Sequence, residues 1–424
     1  MSCAAASTPG SIALGTTPAL ALVWGLGSGR RVRELLRQGL HVEVLALDVD
    51  PERPELATAI VSACPRLRDA LVHGRLRVIV GSPAELGARL QTLSGDRVDV
   101  HVDLAALSAV PEPARALART VERLHLEQLD LQRFASRMRR NLRDNLDAIT
   151  GAGGVDFWHG AAVGQPVFVL AAGPSARAAM PMLHAASRRG PVVAVDTALP
   201  LCREFEVPID VLVSVDPHPE SAVHLQRGCD GVGTLAFQPF CAPAVVDAIR
   251  PRVLGLPRGD ALCDRAAVAL GLPSFHVAGT VLLFALQIAE LLGAAPVVLV
   301  GADFAHLGGR THAEGTATSR VVEAAGCFVR NANGDAVASS SSLRRFHAEV
   351  EHYVTQMNRP VWHVDAGGAA IAGCRSLTLP ELTRWCEALP RRSTSLPTPP
   401  DPAPDEHRRR IAIWDELLRN FDGA

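Results

Sequence analysis

The sequence predicts an α/β protein: a Rossmann-like parallel-sheet central domain, a smaller N-terminal Rossmann-like domain, and a helical C-terminal extension. Three observations carry that expectation. Between residues 166 and 216, three apolar runs (167–171, 192–195 and 211–215) alternate with helix-length segments, as strands buried on both faces of a parallel sheet do. The run PVVLV at 296–300 repeats the pattern after an apolar helical stretch at 280–292. Residues 19–48 read as strand, Gly-rich turn, helix and strand, which is a βαβ unit.

Length and composition set the outer limits. The chain has 424 residues, enough for two domains and an appendage. A net charge of −2 gives no basic footprint for nucleic acid. Nine cysteines without CxxC spacing suit reduced thiols better than a disulfide framework or a zinc site. The start is Ala-rich but lacks the basic residues of a secretory signal, and no apolar run reaches the ~18 residues of a membrane span. A cytoplasmic protein is expected. The sequence contains no lysine, which removes Walker A, Schiff-base and pyridoxal chemistry from consideration.

Residues 1–18 are expected to be disordered. The N-terminal domain, 19–111, opens with a strand leading into Gly25-Leu26-Gly27-Ser28-Gly29. A helix carrying Val32, Leu35 and Leu36 follows, then a strand ending at Asp48, with further strands at 76–80 and 98–102. The turn suits a nucleotide or S-adenosylmethionine, with Asp48 or Asp50 on a ribose. It equally suits a plain tight turn, because such glycines also serve helix–strand packing. Residues 112–157 form a helical linker in which Leu131, Phe134, Met138, Leu142, Leu146 and Ile149 recur at helical spacing. Asn141 and Asn145 share one face, as solvated amides or as ligand contacts, and GAGG at 151–154 reads as a flexible break.

The central domain, 158–389, adds strands at 234–237, 252–256, 296–300 and 360–364. A glycine-rich polar loop at 305–319 reads as a lid or ligand loop. Serines 339–342 cap a helix from Leu343. Residues 390–406 are a Pro-rich spacer, and 407–424 an amphipathic helix that docks on the body or on a second copy of the chain.

Ligands of parallel sheets sit beyond the carboxyl ends of the strands. Four acids fall there: Asp196, Asp216, Asp303 and Asp365. With them come the turn Gly173-Pro174-Ser175, Thr197, His218, Gln238, and His306 and His312 of the polar loop. The GPS turn precedes a helix and would offer free N–H groups to a phosphate or carboxylate, Ser175 also serving as its cap. Acids at strand ends can hold a metal, bind hydroxyls or act as bases, and each can equally be a helix cap. His312 and His218 compete as phosphate contact or general acid–base.

AAGPSA (171–176), AVDTAL (194–199), VSVDPH (213–218), the segment 279–315 with GADF, and VDAGGAAIAG (364–373) follow one another in this order. In this the chain resembles the motility accessory factor (Maf) family. Its DUF115 domain also occurs in 6-hydroxymethylpterin diphosphokinase-like (MptE-like) proteins. The resemblance implies a sialyltransferase-like central domain. Such an enzyme moves a nonulosonic, sialic-acid-like sugar from a CMP-activated donor to Ser or Thr of a protein such as flagellin. It implies that Gly173, Pro174, Ser175, Asp196 and Thr197 face the nucleotide, and that Gly301 and the loop with His306 and His312 face the donor phosphate. His312 stands where those enzymes show a tyrosine. His218, Gly367 and Gly368 complete the substrate-binding set, with Asp216, Asp303 and His312 as catalytic candidates. GPSA replaces the family's GPSL, and the run 365–369 lacks its Glu. The same domain implies, as alternatives, ATP-dependent pyrophosphoryl transfer with acids on Mg²⁺, or nucleotide binding without catalysis.

Overall fold

The computed structural model describes residues 20–24, 29–37, 41–47, 62–92, 98–102, 115–276, 279–322, 326–392 and 394–422. The turn 25–28, Asp48, Asp50 and residues 1–18 lie outside the described residues. The chain divides into two compact units: residues to Ser136 with Gly259–Ala261, and residues 137–258 with 262–420.

In the first unit β1 (Leu20–Trp24), β2 (His41–Leu47), β3 (Leu76–Gly81) and β4 (Val98–Val102) form a parallel sheet in the order β3-β2-β1-β4. Strand β1 is buried from Ala21 to Trp24 because alternate residues serve opposite faces, both of them covered. Ala21 and Val23 pack with Val32, Leu35 and Leu36 of the helix Arg30–Arg37. Leu22 and Trp24 pack with Leu86 and Val100. The helix Arg115–Asp144 follows, 30 residues long.

The second unit is built on a nine-stranded sheet whose spatial order is β17 (Cys374–Leu377), β16 (Val361–Val364), β13 (Val297–Val300), β6 (Val167–Leu170), β7 (Val192–Val195), β8 (Ile209–Ser214), β9 (Val232–Phe237), β10 (Arg252–Leu254) and β5 (Gly153–Gly154). Every pairing is parallel. Strands β6, β7 and β13 are buried throughout, which is why they read as unbroken apolar runs. The apolar helix Val281–Leu291 is covered on nearly all sides and capped by Thr280, which accepts from the Leu282 N–H.

Some elements differ from expectation. The 151–154 stretch is not a flexible break, since Gly153 and Gly154 pair with Val253 and Leu254 as an edge strand. A Cβ on Gly154 would lie 2.1 Å from an Asp156 carboxylate oxygen and 2.4 Å from a Leu272 methyl, so a larger residue there would have to displace both side chains. The strand anticipated at 252–256 splits at Gly255, against which Phe284 packs, into β10 and β11 (Leu256–Pro257). Strand β11 pairs with β12 (Ser274–Phe275). An antiparallel hairpin of β14 (Cys327–Arg330) and β15 (Ala336–Ser339) follows the polar loop.

The C-terminal helix Pro404–Asp422 lies on the body of the second unit. Trp414 is fully buried, His407 Nε2 lies 3.2 Å from the Thr150 hydroxyl, and Arg409 donates to the Ala269 carbonyl at 3.1 Å. The Pro-rich stretch is fixed too, its Pro397 carbonyl accepting from the Trp158 indole at 3.0 Å.

Candidate functional site

The chain leaves β6 towards β7 on one side, while β13 and β16 lie on the other. Strands β6 and β13 therefore flank the switch point, where parallel sheets open a crevice at their carboxyl edge. At that point the Asp303 carboxylate accepts from the Ser175 N–H at 2.7 Å and from the Ser175 hydroxyl at 2.6 Å. A Cβ on Gly173 would stand 2.3 Å from the Gly301 carbonyl and 2.6 Å from Asp303. One on Gly368 would meet the Asp303 backbone at 2.7 Å. The glycines permit this contact and the carboxylate locks it.

This geometry corrects the expectation of free N–H groups on the GPS turn. The Ser175 N–H is taken by Asp303, the Ala176 N–H bonds the Gly173 carbonyl at 2.9 Å, and Pro174 has no N–H. Ser175 makes no side-chain cap to its helix Ala176–Ala186, because its hydroxyl points to Asp303. Burial pushes the Asp303 pKa up against the two Ser175 bonds that hold it down, and Asp365 adds to the rise. Asp303 thus acts first on the shape of the turn.

Asp196 is buried after β7. It accepts from the Ser214 hydroxyl at 2.6 Å, the Thr197 N–H at 2.7 Å and the Thr197 hydroxyl at 3.2 Å. Burial raises its pKa, the Ser214 bond and His224 oppose the rise, and Asp216 reinforces it. Asp216 is exposed. One of its oxygens accepts from the His218 N–H at 2.9 Å, and the other has no hydrogen-bond partner among the described residues. His218 Nδ1 lies 2.7 Å from an Arg137 guanidinium nitrogen.

The two asparagines are neither solvated nor free for a ligand. Asn141 donates to the carbonyls of Pro217 (2.8 Å) and Phe240 (2.9 Å), and Asn145 to those of Pro239 (3.0 Å) and Cys241 (2.9 Å). They tie the loops after β8 and β9 to one helix end. Within the second loop Gln238 is buried, and its Nε2 has no partner among the described residues.

The polar loop folds over the same edge. Its Ala313 N–H bonds the Ala172 carbonyl at 3.0 Å, and Arg177 donates to the Glu314 carbonyl at 3.1 Å. His312 is half-buried with Nδ1 3.2 Å from the Thr311 hydroxyl. Burial lowers its pKa, with His224 and His306 acting in the same direction and the Thr318 backbone against them. His306 and His224 are buried, each with Nδ1 unpartnered among the described residues. Phe304 adopts a left-handed backbone (φ 48), uncommon for a side chain of that size. The Ser339 hydroxyl holds its carbonyl at 2.8 Å, and Ser340 caps the helix Ser341–Gln356, so these serines serve the frame.

After β16, Asp365 accepts from the Gly367 N–H at 2.9 Å, and Gly367 (φ 89) has open space where a Cβ would be. His363 within β16 is 1% exposed, and burial drives its pKa down to about 4.

Two electrostatic groups result. Asp216, Asp196, His224, His312 and His306 act on one another in series. Ser175, Asp303, Asp365 and His363 form the second, and the Ala313–Ala172 bond connects loop and turn. Sequence reasoning missed His224 and Ser214. Ser214 was visible as the last strand residue before Asp216, but His224 sits in a short turn, Pro219–Leu225, with no periodic signal. Among the described residues no three His, Cys, Asp or Glu side chains are arranged to hold a metal ion, and no helix is long and apolar enough to cross a membrane.

Residues 139–309 match the family described as 6-hydroxymethylpterin diphosphokinase MptE-like. A solved structure, a MAf glycosyltransferase from Magnetospirillum magneticum AMB-1, is similar at 17% identity and a TM-score of 0.47. The similarity covers 95% of this chain and 63% of that one. No curated protein matches the chain.

Proposed function

We propose that this chain is a transferase acting on a phosphate-activated donor bound at the carboxyl edge of the nine-stranded sheet. In this reading the donor is a CMP-activated nonulosonic sugar, the acceptor is a Ser or Thr hydroxyl of a protein such as flagellin, and the reaction is cytoplasmic. One observation carries it: Asp216, an exposed carboxylate with a free oxygen, stands at the carboxyl edge in an electrostatic series with Asp196 and the imidazoles of His224 and His312. Asp216 takes the acceptor proton as its oxygen attacks the anomeric carbon. The bond from that carbon to the phosphate oxygen breaks, and the electron pair leaves with CMP. His312 is neutral near pH 7 because its pKa is lowered, so it serves the departing phosphate as an N–H donor rather than as a cation. Asp303 and Ser175 position the turn beneath the nucleotide, with Thr197, Gly367 and Gln238 available to line the pocket.

The MptE-like match favours a second reading, pyrophosphoryl transfer from ATP to a hydroxymethylpterin. Asp196 and Asp303 are already filled by hydroxyl and amide donors, which leaves Asp216 and Asp365, each accepting a single N–H, as the acids able to approach Mg²⁺. A side-by-side assay separates the two. CMP release from a CMP-nonulosonate, lost in Asp216→Asn, supports sugar transfer. Mg²⁺-dependent AMP release from ATP and 6-hydroxymethylpterin, without CMP release, replaces it with the second reading. Thermal stabilisation by nucleotide with turnover of neither donor leaves a binding protein.

A further inference from the structure

A cavity of about 670 Å³ opens at the opposite, amino-terminal edge of the nine-stranded sheet. Its walls come from residues that precede strands: Arg188 ahead of β7, Pro208 ahead of β8 and Gly231 ahead of β9. The size lies inside the roughly 300–1,000 Å³ of small-molecule sites. Four arginines line it, Arg188, Arg203, Arg391 and Arg392, against the acids Glu206 and Asp230.

The arginines divide into two held and two open. Arg392 forms an ion pair with Asp210 at 2.7 Å, the two side chains 15% and 7% exposed, and Asp210 also accepts from the Val192 N–H at 2.9 Å. The Arg392 N–H bonds the Arg188 carbonyl at 2.9 Å, and Arg189 donates to the Leu389 carbonyl. Those contacts fasten the segment after Leu389 across the sheet edge. Arg203 is held by Asp230 at 3.0 Å. The guanidiniums of Arg188 and Arg391 are exposed and have no hydrogen-bond or ion-pair partner among the described residues. His184 Nδ1 lies 2.8 Å from the Glu206 carbonyl, so that nitrogen carries the proton and Nε2 is left to accept.

Two free guanidinium forks, Arg188 just after the helix Ala176–Ala186 and Arg391 on the anchored segment, beside a cavity of this volume fit a multiply charged oxyanion, which arginine grips through paired N–H bonds. The imidazole Nε2 supplies an acceptor for a sugar hydroxyl. We infer that the amino-terminal edge is a second ligand site, distinct from the carboxyl edge, for a polyphosphate anion of nucleoside-diphosphate size.

Calorimetric titration of the full chain with inorganic pyrophosphate, ADP and adenosine tests it. The expected result is binding of pyrophosphate and ADP but not adenosine, weakened at least about tenfold in an Arg188→Ala, Arg391→Ala double variant and unchanged in Asp216→Asn. Tighter ADP than pyrophosphate identifies a nucleotide, and equal affinities identify the polyphosphate alone. Both side chains are exposed, so the double variant should unfold at the wild-type temperature. Absence of binding, undiminished binding in the double variant, or loss in Asp216→Asn alone would overturn the inference.

Discussion

Acid should loosen the second unit through one histidine. His363 is 1% exposed, and its pKa is lowered from 6.5 to about 4 because burial penalises the imidazolium. As pH falls, the unfolded chain takes up this proton near 6.5 while the folded chain refuses it until about 4. Stability is therefore full above 6.5 and is lost as pH falls through that window. Between about pH 7 and about pH 4.5 the linkage amounts to about 2.4 kcal/mol, or about 5–10 °C in Tm for a unit of this size. Asp196 and Asp303, whose pKa values are raised by burial, act in the opposite sense over the acid range. The quantity to read is thus the difference between wild type and His363→Leu. Tryptophan fluorescence suits the measurement, since four of the five tryptophans (Trp158, Trp362, Trp385 and Trp414) lie in the second unit. The variant should lose markedly less stability than wild type on acidification. Parallel losses in the two proteins would refute the account of His363.

Other outcomes follow from the carboxyl edge. Ser175→Ala removes the hydroxyl donor from a buried carboxylate and should cost about 1.5–3 kcal/mol, lowering Tm by about 3–12 °C; an unchanged melting curve would mean the latch does not form. Gly173→Ala drives a methyl to 2.3 Å from a backbone carbonyl and should cost more than about 2 kcal/mol, which chemical denaturation would measure. Asp216→Asn, at an exposed position, should melt within about 1 °C of wild type, while turnover of the true donor falls at least about 100-fold. Retention of full turnover would remove Asp216 from the chemistry.

The fold was legible where burial is symmetrical. Strands β6, β7, β8 and β13 are covered on both faces, so their apolar runs announce them, and the acids at their ends follow from the topology. Strands β5 and β17 escaped because GG and CRSL carry no β pattern, and partner strands fix them instead. Within the site, residue types and their edge were readable but their engagement was not. That Ser175 turns to Asp303 rather than to its own helix depends on a contact across 128 positions. That Asn141 and Asn145 clamp two loops depends on the packing of a helix end against carbonyls 76 to 99 positions away. His224 became visible only once the turn after β8 folded back beside Asp196.

The docked C-terminal helix redraws the minimal body. A protein cut after Leu389 would keep every strand, yet it would open the cleft that Trp414 fills, strip the Trp158 indole of its carbonyl partner and take His407 away from Thr150. An indole-sized void of that kind costs several kilocalories in proteins generally. The helix behind the proline tether is in three dimensions a wall, and trimming it would injure the very part that carries the site.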